Sequence, residues 1–268
     1  ATLEALDDEA GLELARDLLG LSGELAQEVA IRSGGSPLFA VQLVGDWIER
    51  GLLVPGPQGF ELRPGIPTEL PDDIHQLWTS WVDRVLGGFE PGARHALELA
   101  AALGRQVDDK EWTELCRRCG VPPVEGLVDA LAERALAVRR RGGWAFVHGM
   151  LRESIERAAQ ETGRLARNHR ACVDFLTSMS ASPARLGRHL LEAGDLEQAL
   201  APLLAASDQA WLRGDYAQGT QLLARREQAM ARLGLPDGDS RWGDGWERRG
   251  LLRWRMGDIE GGHELARR

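Results

Sequence analysis

Apolar positions recur at helical spacing through most of this chain, and glycine, proline and short polar residues cut the pattern into segments. Ser22 precedes a run carrying Leu25, Ala26 and Val29 that ends at Gly34-Gly35, which predicts a capped helix. Ser36 stands ready to cap the next helix, with Pro37 at its first position, where the missing N–H costs nothing. Leu38, Val41, Leu43, Val44, Trp47 and Ile48 give that helix a broad apolar face, and Gly51 stops it. Leu52-Leu53-Val54, a Pro-Gly-Pro turn and Gly59-Phe60-Glu61-Leu62 read as a small β-hairpin. Pro64, Pro67 and Pro71 mark a linker.

From Asp72 the period is helical again, with Ile74, Leu77, Trp78, Trp81, Val82 and Val85 on one side. Three further helices are predicted near 91–103, 109–119 and 123–134. Leu136-Ala137-Val138 and Trp144-Ala145-Phe146-Val147 flank Gly142-Gly143, a hairpin signal. Three helices followed by a hairpin is the element order of a winged helix. From Gly149 onward the pattern is helical throughout.

The last part carries three similar units: Gly194-Asp195-Leu196-x-x-Ala199, Gly214-Asp215-Tyr216-x-x-Gly219 and Gly257-Asp258-Ile259-x-x-Gly262. Each reads as a tight turn followed by a helix with a small residue one turn in. A small residue there lets a neighbouring helix approach closely, as stacked helical hairpins require. Trp246, Gly250 and Gly257 are spaced much as in the first helix of a tetratricopeptide repeat. Because the Gly-Asp pairs do not recur at the regular tetratricopeptide period, the array is expected to be irregular.

Composition narrows the function classes. The net charge of −9 argues against broad binding to nucleic acid or anionic membrane. No window is long and apolar enough for a membrane span, and the acidic start lacks a signal-peptide pattern. Three cysteines cannot frame a disulfide-rich fold in 268 residues, which points to a reducing, cytoplasmic setting. The single lysine, Lys110, lies among acids in Asp108-Asp109-Lys110-Glu111-Trp112. A phosphate-binding loop needs its lysine after a glycine-rich turn, so the chain has no Walker A loop and is not expected to be an enzyme by itself. His-Glu-x-x-His, Gly-x-Ser-x-Gly and Gly-x-Gly-x-x-Gly are also missing, leaving no catalytic candidate. The first residue, Ala1, is not Met, and the helical pattern runs to Arg268 without a stop signal, so the chain is expected to be a segment of a longer polypeptide.

Three stretches, taken in order, resemble the regulatory half of STAND-type signalling ATPases, the bacterial kind fused to Ser/Thr kinases, nucleotide cyclases or LuxR-type DNA-binding domains. Arg32-Ser33-Gly34-Gly35-Ser36-Pro37-Leu38-Phe39 resembles the family's Gly-x-Pro segment, with Ser36 where asparagine is usual. Leu99-Ala100-Ala101-Ala102-Leu103-Gly104-Arg105 resembles its winged-helix opening. Phe146-Val147-His148-Gly149-Met150-Leu151-Arg152-Glu153 resembles its Phe-x-His-x-x-Leu-Arg-Glu segment, followed by repeats. The resemblance implies that Pro37 packs near the adenine of a bound nucleotide and that His148 contacts the β-phosphate of ADP. It implies no cofactor in this chain, and ATP or ADP with Mg held by an upstream domain of a parent ATPase.

Each candidate also has a plain structural reading. Pro37 suits a helix start without any ligand, and His148 suits a cap between strand and helix. Cys116-x-x-Cys119 continues the apolar series of Trp112 and Leu115, and a structural zinc site needs four ligands, so no metal site is expected. Asp108, Asp109 and Glu111 stand at a helix start, where carboxylates complement the helix dipole. Trp78, Trp81 and Trp211 are expected in the core, while Trp242, Trp246 and Trp254 lie in the last repeats. Trp246 and Trp254 are the candidates for a partner-binding surface.

The expected fold is mainly α: a helical lid-like domain over 1–70, a winged-helix-like domain over 71–148, and a tetratricopeptide-like α-solenoid over 149–268. The leading functional expectation is a regulatory and sensory segment. It would close over nucleotide held upstream and bind a protein or small-molecule inducer through its repeats. A repeat scaffold without nucleotide is one alternative. A winged-helix DNA-binding regulator is the other: its groove helix, 123–134, sets Glu125, Asp129 and Glu133 against Arg134 alone, and Arg139-Arg140-Arg141 in the wing is the basic cluster.

Overall fold

A computed structural model describes residues 6–63, 73–122, 124–258 and 260–261. The protein is mainly helical, at 68% of the chain, with five short strands among the described residues. It divides into two compact units, the first ending at Gly87 and the second beginning at Gly88. This partition departs from the three domains expected from sequence. The helix after the proline stretch groups with the first unit, and residues on both sides of 148/149 share the second. Pro64, Pro67 and Pro71, the expected linker, lie outside the described residues, as do Pro123, Ile259 and Gly262.

In the first unit, α1 (Asp8–Glu13) is capped by Asp7, whose carboxylate accepts from the Ala10 N–H at 2.8 Å. A π-helical turn over Leu14–Leu18 leads to α2 (Gly23–Ser33), which ends on left-handed Gly34. Ser22 holds the N-cap position of α2, but its side chain makes no capping bond. Its backbone N–H instead donates to the Phe60 carbonyl, tying the loop to the hairpin. Ser36 does cap α3 (Pro37–Glu49), accepting from the Phe39 N–H at 3.4 Å, with Pro37 at N1. Strands β1 (Leu53–Gly56) and β2 (Gly59–Leu62) pair with Gly56 opposite Gly59, so Pro55 and Gly56 belong to the strand rather than the turn. Helix α4 (Ile74–Leu86) is capped by Asp73 and buries Leu77, Trp78, Trp81, Val82 and Val85.

The core of this unit encloses a charge. Asp46 of α3 is buried, and its carboxylate accepts from the Trp81 indole N–H at 2.7 Å, from Arg50 at 3.1 Å and from Arg84. An isolated buried carboxylate would be costly, and three donors converging on it offset that cost.

The second unit opens with α5 (Gly92–Leu103), β3 (Gln106–Asp108), α6 (Asp109–Arg118) and α7 (Leu127–Glu133), followed by β4 (Ala137–Arg140) and β5 (Gly143–Phe146). The sheet order is β3-β5-β4, antiparallel throughout, which adds a third strand to the predicted hairpin. Gly143 is required at its place: a Cβ there would lie 2.1 Å from the Val107 carbonyl oxygen of β3. Asp108 caps α6 by accepting from the N–H groups of Lys110 and Glu111, the helix-start role read from sequence. Trp144 and Phe146 are fully buried and stack edge-on at 4.8 Å.

Six further helices follow among the described residues: α8 (Gly149–Glu161), α9 (Leu165–Ser178), α10 (Pro183–Ala193), α11 (Leu196–Leu212), α12 (Tyr216–Arg232) and α13 (Ser240–Arg255). From α9 to α13 each packs on the next. The Gly-Asp pairs punctuate this series. Gly194, Gly214 and Gly257 all take positive φ, between 77° and 89°, which ends one helix and lets Asp195, Asp215 or Asp258 begin the next segment. Ala199 is fully buried, and a Cβ on Gly219 would sit 3.2 Å from Leu252, so both positions permit close approach. Arg226 extends from α12 to the carbonyls of Leu200 and Arg241, linking α11, α12 and the start of α13. Glu98 of α5, also buried, takes both branches of the Arg164 guanidinium at 2.8 and 2.6 Å.

Candidate functional site

The sequence candidates fall in separate places. Pro37 lies in the first unit, exposed at the N-terminus of α3. His148 lies in the second, half-buried at the N-cap position of α8, yet its side chain makes no capping bond there. The expected capping role is therefore not the one the imidazole performs. Trp246 is half-buried and stacks on Trp242 at 5.9 Å, with planes 25° apart. Trp254 is 55% exposed, with the Arg255 guanidinium 5.8 Å from its ring.

Other readings meet the structure directly. Trp78 and Trp81 fill core, as expected. Trp211 does not: it is half-buried, lies 5.4 Å from Tyr216 and carries Arg255 over its face, because the end of α11 is open on that side. Cys116 and Cys172 are buried, and burial pushes both thiols up to about 12, far from the reactive thiolate range. Arg139 of the basic β4 cluster donates to Asp129 of α7 at 2.7 Å, so an acid already engages part of the positive charge there.

One concave feature was not legible in sequence. A cavity of about 440 Å³ opens between α8, α9, α10 and α12. Helix α8 contributes Arg152 and Glu156, which pair at 2.6 Å. Helix α9 contributes His169, α10 contributes Arg188 and Glu192, and α12 contributes Arg225, Gln228 and Arg232. Four guanidinium groups thus face two carboxylates, in a chain whose overall charge is negative.

Two of those guanidinium groups are fixed from behind. Arg188 donates to the carbonyls of Ala102 and Leu103 at 3.1 and 2.9 Å, and Arg152 reaches the Ala101 carbonyl at 3.4 Å. These are C-terminal carbonyls of α5, the negative end of its dipole. Burial, then the neighbouring Arg152, holds the Arg188 guanidinium below its ordinary value. Burial raises the Glu156 carboxyl, against the pull of Arg152 and Arg188. Behind this wall His169 and His189 are buried with their Nδ1 atoms 3.0 Å apart. Burial first, and Arg188 second, lowers both imidazoles well below 6.5.

A smaller hollow of about 270 Å³ lies between α11 and α13, with Trp211, Asp208, Arg248 and Leu251 among its walls. Its aromatic wall is Trp211 rather than Trp246 or Trp254.

No protein-family model matches this chain, and no curated protein matches it. A solved structure, that of a Signal Transduction ATPase with Numerous Domains protein with a tetratricopeptide repeat sensor from Pyrococcus horikoshii, is similar over 98% of this chain and 48% of its own, at 10% identity and a TM-score of 0.31. The chain thus spans about half the length of that structure. No described helix is long and apolar enough to cross a membrane.

Proposed function

We propose that this chain is the regulatory and sensory part of a STAND-type signalling ATPase, working in the cytoplasm. The observation that carries the reading is an ordered series. A Gly-x-Pro segment opens α3, the α5-β3-α6-α7-β4-β5 order reads as a winged helix, His148 stands where its last strand passes into α8, and stacked helices follow. Free cysteines that are buried or half-buried are compatible with a reducing compartment.

In this account an upstream domain holds ATP or ADP with Mg, and the chain supplies Pro37 and His148 to it. Each residue fits its part taken singly. The Pro37 ring is exposed and rigid, suited to an adenine face. His148 stands half-buried where β5 passes into α8, and an imidazole N–H donates well to a phosphate oxygen. The repeats bind an inducer and shift the balance between inactive and active states, which requires different affinities for the two.

A protein-interaction scaffold is the second reading. It is favoured by exposed Leu251, Trp254 and Met256 at the end of α13, where a partner would cover apolar area. Reading the coding sequence upstream of Ala1 separates the two. A glycine-rich loop ending in Lys-Ser or Lys-Thr, followed by an acidic strand, is the expected result. A reading frame without them would leave the scaffold.

A further inference from the structure

We infer that the cavity between α8, α9, α10 and α12 is a binding site for a small phosphorylated metabolite, a polyol or sugar carrying a phosphate monoester. The inference rests on the sensory reading only for its consequence, since it names the ligand class of the same repeats.

The first argument is charge placement. Several arginines of the repeats are matched to acids: Arg170 with Asp195, Arg241 with Asp239, Arg248 with Asp208 and Arg249 with Glu227. At the cavity, Arg225 and Arg232 make no ion pair or hydrogen bond among the described residues. They stand seven residues apart on α12, so two turns, about 10 Å, separate them along one face. Opposite them, Arg188 is already oriented by the α5 carbonyls. Converging guanidinium groups of this kind favour an anionic ligand.

The second argument is the direction of a buried proton chain. Arg188 has only donors, and its Nη2 lies 2.9 Å from His189 Nε2, so that nitrogen accepts. The neutral His189 ring therefore carries its proton on Nδ1 and donates it to His169 Nδ1 at 3.0 Å. His169 must then carry its own proton on Nε2. That N–H lies 3.8 Å from Glu156, too far for a hydrogen bond, and His169 lines the cavity. The charge of Arg188 is thereby relayed into a fixed neutral donor.

Donors thus reach the cavity from two walls, Arg188 and His169 on one and Arg225 and Arg232 on the other. A planar carboxylate satisfies one fork, whereas a phosphate monoester offers three terminal oxygens in different directions. Glu192 and Gln228 accept from hydroxyl groups, and the other carboxylate of the lining, Glu156, is already paired with Arg152 at 2.6 Å. A volume of about 440 Å³ suits a ligand of that size.

The test is calorimetric titration of the chain with glucose 6-phosphate, inorganic phosphate, succinate and glucose, at low and moderate salt. The sugar phosphate is expected to bind at least tenfold more tightly than succinate or glucose, and more weakly as salt rises. The R225Q/R232Q variant, altered only at exposed positions, is expected to keep its circular dichroism and lose about tenfold or more in affinity. Absence of sugar phosphate binding overturns the inference, and so does equal binding by the variant or by glucose. None of these results touches the upstream nucleotide domain, whose presence is read from the coding sequence, so the two readings fail separately.

Discussion

His169 Nδ1 lies 3.0 Å from His189 Nδ1 inside the second unit, a contact that two charged rings could not sustain. The groups facing the pair are Arg188, Arg152, Arg185 and Glu156. Unfolded, each ring titrates near 6.5, whereas in the fold both are lowered, His169 to about 4. The unfolded chain then binds more protons between these limits. The stabilisation is complete above pH 6.5 and is lost as pH falls through about 4. Glu156, raised by burial, acts in the opposite sense just above its ordinary range. The unfolding free energy from urea titration is expected to fall between pH 7 and 5, by up to about 1.4 kcal/mol per pH unit for each proton taken up. The H169Q/H189Q variant should show a flatter profile, and a flat wild-type profile would contradict the neutral pair.

Asp46 anchors the first unit. Replacing it with alanine leaves the Trp81 N–H and two guanidinium groups without their acceptor, which for a buried pair costs about 3–5 kcal/mol. Arg50 and Arg84 are each about one-third exposed, so Asp46→Ala is expected at the lower end, about 3 kcal/mol. Asp46→Asn keeps an acceptor for the indole and should cost about half as much. Denaturation followed by tryptophan fluorescence measures both, and an unchanged midpoint for Asp46→Ala would remove Asp46 as an anchor.

Two glycines in helices should respond with opposite sign. A Cβ on Gly187 would lie 2.8 Å from Leu203 Cδ2 of α11, an overlap that costs about 1–3 kcal/mol and outweighs the helix preference of alanine. Gly243 of α13 has open space around the same position and is exposed. Gly187→Ala is therefore expected to lower the thermal midpoint, and Gly243→Ala to raise it by up to about 1 kcal/mol of stability. A rise in both would show that α10 and α11 are not closely packed at Gly187.

The helices were legible because their ends are chemically marked. Ser36, Asp73, Asp108 and the Gly-Asp pairs all stand where caps and left-handed turns are needed. Strand β3 was missed because three residues, Gln106-Val107-Asp108, are too few to show a period, and their partner β5 is almost forty residues away. Ser22 looked like a cap, but tertiary pairing with Phe60 took over its loop. The small residues Ala199 and Gly219 were read correctly, whereas Gly187 carries no turn signal and is explained only by Leu203.

The cavity was illegible for a different reason. Its arginines and glutamates look in sequence like ordinary solvated helix faces. Only the stacking of α8, α9, α10 and α12 brings residues 152 to 232 around one space. His169 and His189, twenty positions apart, give no spacing signal either, although each stands on the apolar side of its helix.

The proposed nucleotide-gated reading is tested most directly by ADP affinity in a polypeptide that carries this chain together with the upstream nucleotide-binding domain the proposal calls for. Pro37→Ala and His148→Ala, each shown to remain folded, are expected to weaken ADP binding by about tenfold, the worth of one charge-assisted hydrogen bond or a lost base contact. Unchanged affinity in both variants would contradict the account and take Pro37 and His148 out of the nucleotide site.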